Sequence, residues 1–158
     1  MVDFKKILVT TDLSENANAA VPYAVELARS FKGRIELVFV FEDILYFPTA
    51  PEPGSYAIDP VQIMESARNE RKRQLDQLAK AIGEREKIEV KPVLLEGHPP
   101  TQIVKYATEH KFDCLVVATH GRTGLSHFVF GSVAERLVRM AVCPVLSIRP
   151  AKIVPAKK

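Results

Sequence analysis

Three glycines interrupt a stretch rich in hydroxyl side chains late in the chain. The stretch reads ATHGRTGLSHFVFGS, residues 118–132, with an apolar run before it and a helical pattern after it. Gly131 and Ser132 stand where that helix should begin, and the first amides of a helix have no internal partner and attract anions. A glycine there lets a phosphate approach the main chain, and a serine hydroxyl adds a donor. The pattern fits an anion site and, equally well, loop glycines beside a capping serine.

Few other side chains in the sequence are placed for chemistry. His120 could act as a base beside a phosphate, but strand-end histidines often only hydrogen-bond a loop, so we predict no catalytic residue. Histidines, cysteines and carboxylates form no cluster with the spacing of metal ligands. Cys114 and Cys143 also match no redox motif and are expected to behave as small hydrophobes.

Composition places the chain among single-domain globular proteins. Its 158 residues are 47% hydrophobic and 26% charged, and no apolar run is long enough to span a bilayer. The first residues lack the long apolar segment of a signal peptide, so we expect a cytoplasmic protein. The net charge of +3 comes from three lysines after Pro150, which gives no argument for nucleic-acid binding. We therefore predict one domain over residues 1–150 and a short basic tail over 151–158.

Apolar runs alternate with helical patterns along the chain. A long helix is expected from Asp59 and Pro60 to Gly83, and Pro92 suggests an edge position for the strand that contains it. The predicted strands are Ile7 to Thr10, RIELVFVF, KIEVKPVLLEG, Cys114 to Thr119 and CPVLSIRP. The other predicted helices are Ser14 to about Phe31, with Gly33 just past its end, Thr101 to His110, and Ser132 to Met140.

This alternation predicts a parallel sheet covered by helices on both faces. The simplest arrangement places the first strand at the centre and gives the strand order 3-2-1-4-5. The winding then reverses between the first and fourth strands, and ligands of such sheets bind beyond the strand ends at that point. Thr10 to Asp12 and Ala118 to Gly121 are expected to meet there.

The sequence resembles the universal stress proteins. The resemblance runs from KKILVTTDLSENANAAVPYAVELA to CPVLSIRP and includes the family's nucleotide signature, G-x-x-G, then nine intervening residues, then G-[S/T]. Gly121, Gly131 and Ser132 match three of its four fixed positions with the spacing intact. Ala118 stands where the full signature has glycine.

The resemblance implies a flavodoxin-like, adenine nucleotide α-hydrolase-like fold with ATP bound at the switch point. It places Thr11 and Asp12 near the ribose and Val40 near the adenine, although Asp12 could simply begin a loop and Val40 could be a core residue. It places the phosphates beside Ala118, His120, Gly121, Arg122, Gly131, Ser132 and Val133. Mg²⁺ would arrive with the nucleotide, held by phosphates and water. The resemblance also implies a homodimer through the last strand, Pro144 to Arg149.

Three classes of function fit this sequence. The first, which the retained spacing favours, is an ATP-binding regulatory protein of the stress response acting on a protein partner that the sequence does not name. The second is a nucleotide-free stress protein that works by protein contact. The third is a slow ATP hydrolase, which lacks a positioned base beyond His120.

Overall fold

The computed structural model describes residues 2–42, 59–120 and 131–151, which form one parallel sheet flanked by helices. The strand order is β3-β2-β1-β4-β5, as the sequence predicts. The strands are β1 (Lys6–Thr10), β2 (Arg34–Phe41), β3 (Val90–Glu96), β4 (Cys114–Ala118) and β5 (Val145–Ile148). The helices are α1 (Glu15–Asn18), α2 (Val21–Phe31), α3 (Pro60–Glu86), α4 (Pro99–Glu109) and α5 (Ser132–Met140).

The central strand β1 pairs with β2 on one side and with β4 on the other. Its residues Ile7, Leu8 and Val9 are fully buried because helices cover both faces of the sheet. Helices α2 and α3 pack on one face, and α4 and α5 pack on the other. Pro92 lies in the edge strand β3, as predicted. The outer side of an edge strand makes no hydrogen bonds to another strand, so proline, which has no amide hydrogen, is tolerated there.

The first predicted helix is wrong as a single element. Ser14 caps only the four-residue α1, accepting a hydrogen bond from the Ala17 amide at 3.2 Å, and α2 starts separately at Val21. Pro22 explains the break, because proline has no amide hydrogen and its ring clashes with the carbonyl four residues earlier. Proline is tolerated in a first turn, which is where α2 places it.

Two glycines predicted to mark helix ends have other roles. Helix α3 continues past Gly83 to Glu86, and Lys87 takes the left-handed conformation that ends it, with φ of 57°. Lys32 takes the left-handed conformation that ends α2, with φ of 52°, so Gly33 is not needed for that role. A Cβ on Gly33 would lie 2.7 Å from the carbonyl oxygens of Phe4 and Lys5, so glycine is needed there for close packing.

Other predicted boundaries move by a few residues. Helix α4 begins at Pro99 rather than Thr101, and two prolines form its first turn. Asp59 caps α3 by accepting a hydrogen bond from the Val61 amide at 2.9 Å, as its position predicts. No helix among the described residues is long and apolar enough to cross a membrane.

Candidate functional site

A cleft of about 480 Å³ opens at the carboxyl ends of β1, β2 and β4. It therefore lies at the predicted reversal between the first and fourth strands. It collects eight of the ten predicted site residues, while Gly121 and Arg122 lie outside the described residues. Those eight residues are Thr11, Asp12, Val40, Ala118, His120, Gly131, Ser132 and Val133.

The turn after β1 is held by its own polar side chains. The Thr11 hydroxyl donates to the Asn18 side-chain oxygen and accepts from the Leu13 amide, each at 2.9 Å. Asp12 accepts from the Ser14 amide at 2.9 Å and also lines the cleft. Asp12 thus begins the loop before α1, and the same turn presents it to the cleft. Its two predicted roles are compatible.

The end of β4 is buried and fixed by neighbouring backbone. Thr119 and His120 are 4% and 5% exposed, and the Thr119 amide donates to the Ile148 carbonyl at 2.8 Å. The Thr119 hydroxyl lies 2.9 Å from His120 Nδ1. The protein therefore holds the His120 ring against the strand end at one edge of the cleft.

Gly131 connects the start of α5 to the end of β4 by a backbone hydrogen bond. Its amide donates to the Thr119 carbonyl at 2.5 Å, and a Cβ on it would lie 2.9 Å from that carbonyl oxygen. The structure thus gives a reason for glycine that the sequence did not: the approach of α5 to β4.

The N-cap of α5 is Gly131, not Ser132. Glycine has no side chain to offer, so the first amides of α5 receive no acceptor from the N-cap residue. Ser132 occupies the first helical position and is exposed, while Val133 is half-buried beside it. The interpretation of Ser132 as a mere cap is therefore wrong, and Gly131, Ser132 and Val133 at the helix start line the cleft.

The opposite side of the cleft is built by the end of β2 and by α3. Val40 packs against the core on the α4 and α5 face and also lines the cleft, so its core position does not exclude the predicted contact with a base. Ala67 and Arg71 of α3 reach the same cavity. Sequence reasoning missed Arg71, which belongs to no motif.

A signal for Arg71 was nevertheless present in the helix pattern. Arg71 lies four residues before Leu75 and eight before Ala79, which are both 1% exposed. Residues four apart lie on the same helix face, so Arg71 continues a buried stripe. The charge in line with these buried positions is the feature of the sequence that could have drawn attention to Arg71.

Charges in the described part of the cleft carry both signs. Asp12 and Glu42 are the acidic lining residues and Arg71 is the basic one. Among the described residues, histidines, cysteines and carboxylates form no group of three or more that could hold a metal ion. Cys114 lies in the core, where burial raises the pKa of its thiol to about 11, consistent with an inert hydrophobic role.

Comparison with known proteins gives a consistent result. The model of the universal stress protein family matches residues 3–149. Universal stress protein MJ0531 of Methanocaldococcus jannaschii is 33% identical over 149 residues, which cover 94% of this chain and 84% of that protein.

Solved structures agree. The universal stress protein UspA from Lactobacillus plantarum superimposes with a TM-score of 0.78 at 25% identity, covering 94% of this chain and 100% of its own. A universal stress protein in complex with cAMP gives a TM-score of 0.57 at 25% identity, covering 93% and 98% of the two chains.

Proposed function

This chain belongs to the universal stress protein family, and we propose that it is an ATP-binding regulatory protein of the cytoplasmic stress response. One observation carries the proposal. The start of α5, which has no side-chain cap from its N-cap residue, borders a cleft that also contains Thr11, Asp12 and Val40 from the first part of the chain. The solved relative in complex with cAMP supports an adenine nucleotide as the class of ligand.

The chemistry of the cleft fits the three parts of a nucleotide. Val40 and its apolar neighbours suit the base, and the Asp12 carboxylate can accept hydrogen bonds from ribose hydroxyls. The amides of Ser132 and Val133 suit phosphate oxygens. Gly121 and Arg122 would complete the phosphate side by position in the signature. Mg²⁺ would be held by the phosphates and water.

Ala118 is compatible with this arrangement. It is 8% exposed, and its methyl group packs in the core on the α2 and α3 face of the sheet. Helix α5 packs on the other face. The extra methyl group is therefore directed away from the face that carries the helix start.

A protein-contact function is the second candidate, and it rests on the other edge of the sheet. Strand β5 pairs only with β4 in the described sheet, and Val142, just before it, is 70% exposed. Val138 and Met140 of α5 are half exposed nearby in the sequence. We propose that this edge, Pro144 to Arg149, joins two copies of the chain. The dimer is compatible with both functions.

Titration calorimetry of the wild type and Ala118→Gly with Mg-ATP tests the nucleotide proposal. We expect the wild type to bind and Ala118→Gly to bind as tightly or more tightly. Nucleotide released by heating the purified protein provides an independent measurement.

Two outcomes would change the assignment. Binding by Ala118→Gly alone would mean that the alanine closes the site in this chain. Binding by neither protein, with no nucleotide released on heating, would leave the nucleotide-free protein of the second candidate.

A further inference from the structure

Arg71 is the basic residue of the cleft that neither the signature nor the predicted elements include. It is half-buried on α3, in line with Leu75, Ala79 and Ile82, which face the core. It lines the cleft together with Ala67, one turn earlier. A guanidinium is costly to hold in such a position unless it interacts with something there.

Within the described residues, Arg71 belongs to a small polar cluster on α3 with Glu70 and Gln74. Its Nη1 donates to Gln74 Oε1 at 3.0 Å, and this amide is its hydrogen-bond partner within the described residues. Arg73 instead pairs with the Glu70 carboxylate at 2.7 Å and is 67% exposed. Gln74 thus orients the Arg71 guanidinium, while the Glu70 carboxylate interacts with its charge but makes its ion pair with Arg73.

Sheet geometry places Arg71 at the end of the cleft away from the phosphate donors. Helix α3 packs on β2 and β3, whereas α5 packs on β5 beyond β4. Strands β2 and β4 flank β1, so they are about 10 Å apart at the usual strand spacing. Arg71 therefore lies beside the end of β2, on the α2 and α3 face of the sheet, and across the cleft from the start of α5.

From this placement we propose that Arg71 is a further binding residue that contacts the base of the bound nucleotide, with its guanidinium plane against the purine. The inference rests on the proposed function, because it assumes a nucleotide with its phosphates at α5. Planar guanidinium groups stack on aromatic rings, and a lysine ammonium cannot reproduce that plane. The contact adds affinity that does not depend on the number of phosphates.

The test measures binding of AMP, ADP and ATP by calorimetry to the wild type, Arg71→Gln and Arg71→Lys. Arg73→Gln is the matched control, because it removes the same side chain from the same helix on its exposed side. We expect Arg71→Gln to weaken binding about threefold to thirtyfold. The loss should be equal for the three nucleotides, and Arg71→Lys should not restore affinity. Arg73→Gln should bind like the wild type.

Three results would overturn the inference. A loss that grows from AMP to ATP, with rescue by lysine, would make Arg71 a phosphate contact. Unchanged binding in Arg71→Gln would show that the ligand does not reach α3 and would leave the proposed function intact. No binding of any nucleotide by the wild type would remove the proposed function and this inference together. Thermal unfolding of each variant shows whether a loss comes from the fold.

Discussion

Polar side chains gather at both ends of the sheet, and the two groups have different surroundings. At the amino end, the Asp113 carboxylate accepts from the amides of Lys5 and Lys6 at 3.0 and 2.7 Å, and the Lys6 ammonium donates to the His110 carbonyl. At the carboxyl end, Asp12 and the start of α5 border a cleft. The first group joins parts of the protein to each other, whereas the second also faces space that a ligand could fill.

Near the amino end, the buried carboxylate of Glu36 finds its partners within the protein. The Glu36 side chain is 8% exposed on β2, and the Tyr106 hydroxyl of α4 donates to it at 2.7 Å. The Lys91 ammonium lies 3.7 Å from the same carboxylate. Burial, followed by this hydrogen bond and the charge of Glu36, raises the pKa of Tyr106, so the phenol keeps its proton. Such a pair can contribute to stability without taking part in binding.

The comparison leads to a simple expectation. Changes at the carboxyl end should act mainly on binding, and changes at the amino end mainly on the free energy of unfolding.

The largest effect is expected from Gly131→Val. The new side chain meets the Thr119 carbonyl, so the start of α5 must move and its amides lose their position. Binding of ATP should fall by about 100-fold or more, which corresponds to about 3 kcal/mol. Calorimetry measures the loss.

Gly83→Val is the matched control at the other end of the molecule. Its Cβ would lie 3.3 Å from the Ile88 carbonyl, so it should lower stability and leave ATP affinity within about twofold. Equal losses of ATP affinity in both variants would show that binding only follows stability. They would contradict the expected difference between the amino and carboxyl ends of the sheet.

Tyr106→Phe should have an intermediate effect, limited to stability. Removing the hydroxyl leaves the buried Glu36 carboxylate without its donor, which costs about 1.5 to 3 kcal/mol for a hydrogen bond to a charged group. Urea denaturation measures the loss, and Tyr23→Phe, at an exposed tyrosine of α2, is the control. ATP affinity should not change.

The pH dependence of Tyr106→Phe sharpens this test. A phenol whose pKa is raised in the folded state stabilises the protein below its ordinary pKa of 10.0 and loses that contribution as the pH rises further. The wild type should therefore lose stability above pH 10 more steeply than Tyr106→Phe. Parallel curves would contradict the assignment of the raised pKa to this pair.

The smallest effect is expected for His120→Ala on ATP hydrolysis. His120 is held by Thr119, and we predict that it binds and positions rather than transfers protons. Any hydrolysis should be slow and stay within about twofold of the wild type once turnover is corrected for occupancy. A large loss of turnover, measured by phosphate release at saturating ATP, would make the slow hydrolase the better description.

The sheet was predictable because its signals are local, and its topology placed Thr10 to Asp12 and Ala118 to Gly121 at the cleft, whereas Val40 and Val133 came only from the family resemblance. Buried strands such as Cys114–Ala118 appear as continuous apolar runs, and right-handed crossovers then determine the strand order. Pro22 was a local signal for the break before α2. The apolar periodicity continues across Pro22, and we therefore predicted a single helix.

The remaining features depend on contacts between distant segments. Gly33 is glycine because Phe4 and Lys5, just before β1, pass close to it, and Gly83 lies inside α3 opposite Ile88. Neither contact is visible before the elements are packed. Arg71 reaches the cleft only because α3 lies across β2, so its role follows from the packing of a helix and not from a motif.

The pairing of β1 with β4 also has a consequence for synthesis. Ile7 pairs with Cys114, so one edge of the central strand has no partner until more than a hundred further residues have left the ribosome. At about 5 to 20 residues per second, this interval lasts at least several seconds. During that time β1 and β2 can pair, but the nascent chain presents an apolar strand edge, which is a target for chaperones. The cleft is completed only when α5 emerges, so a ligand can stabilise the finished chain but not its precursors.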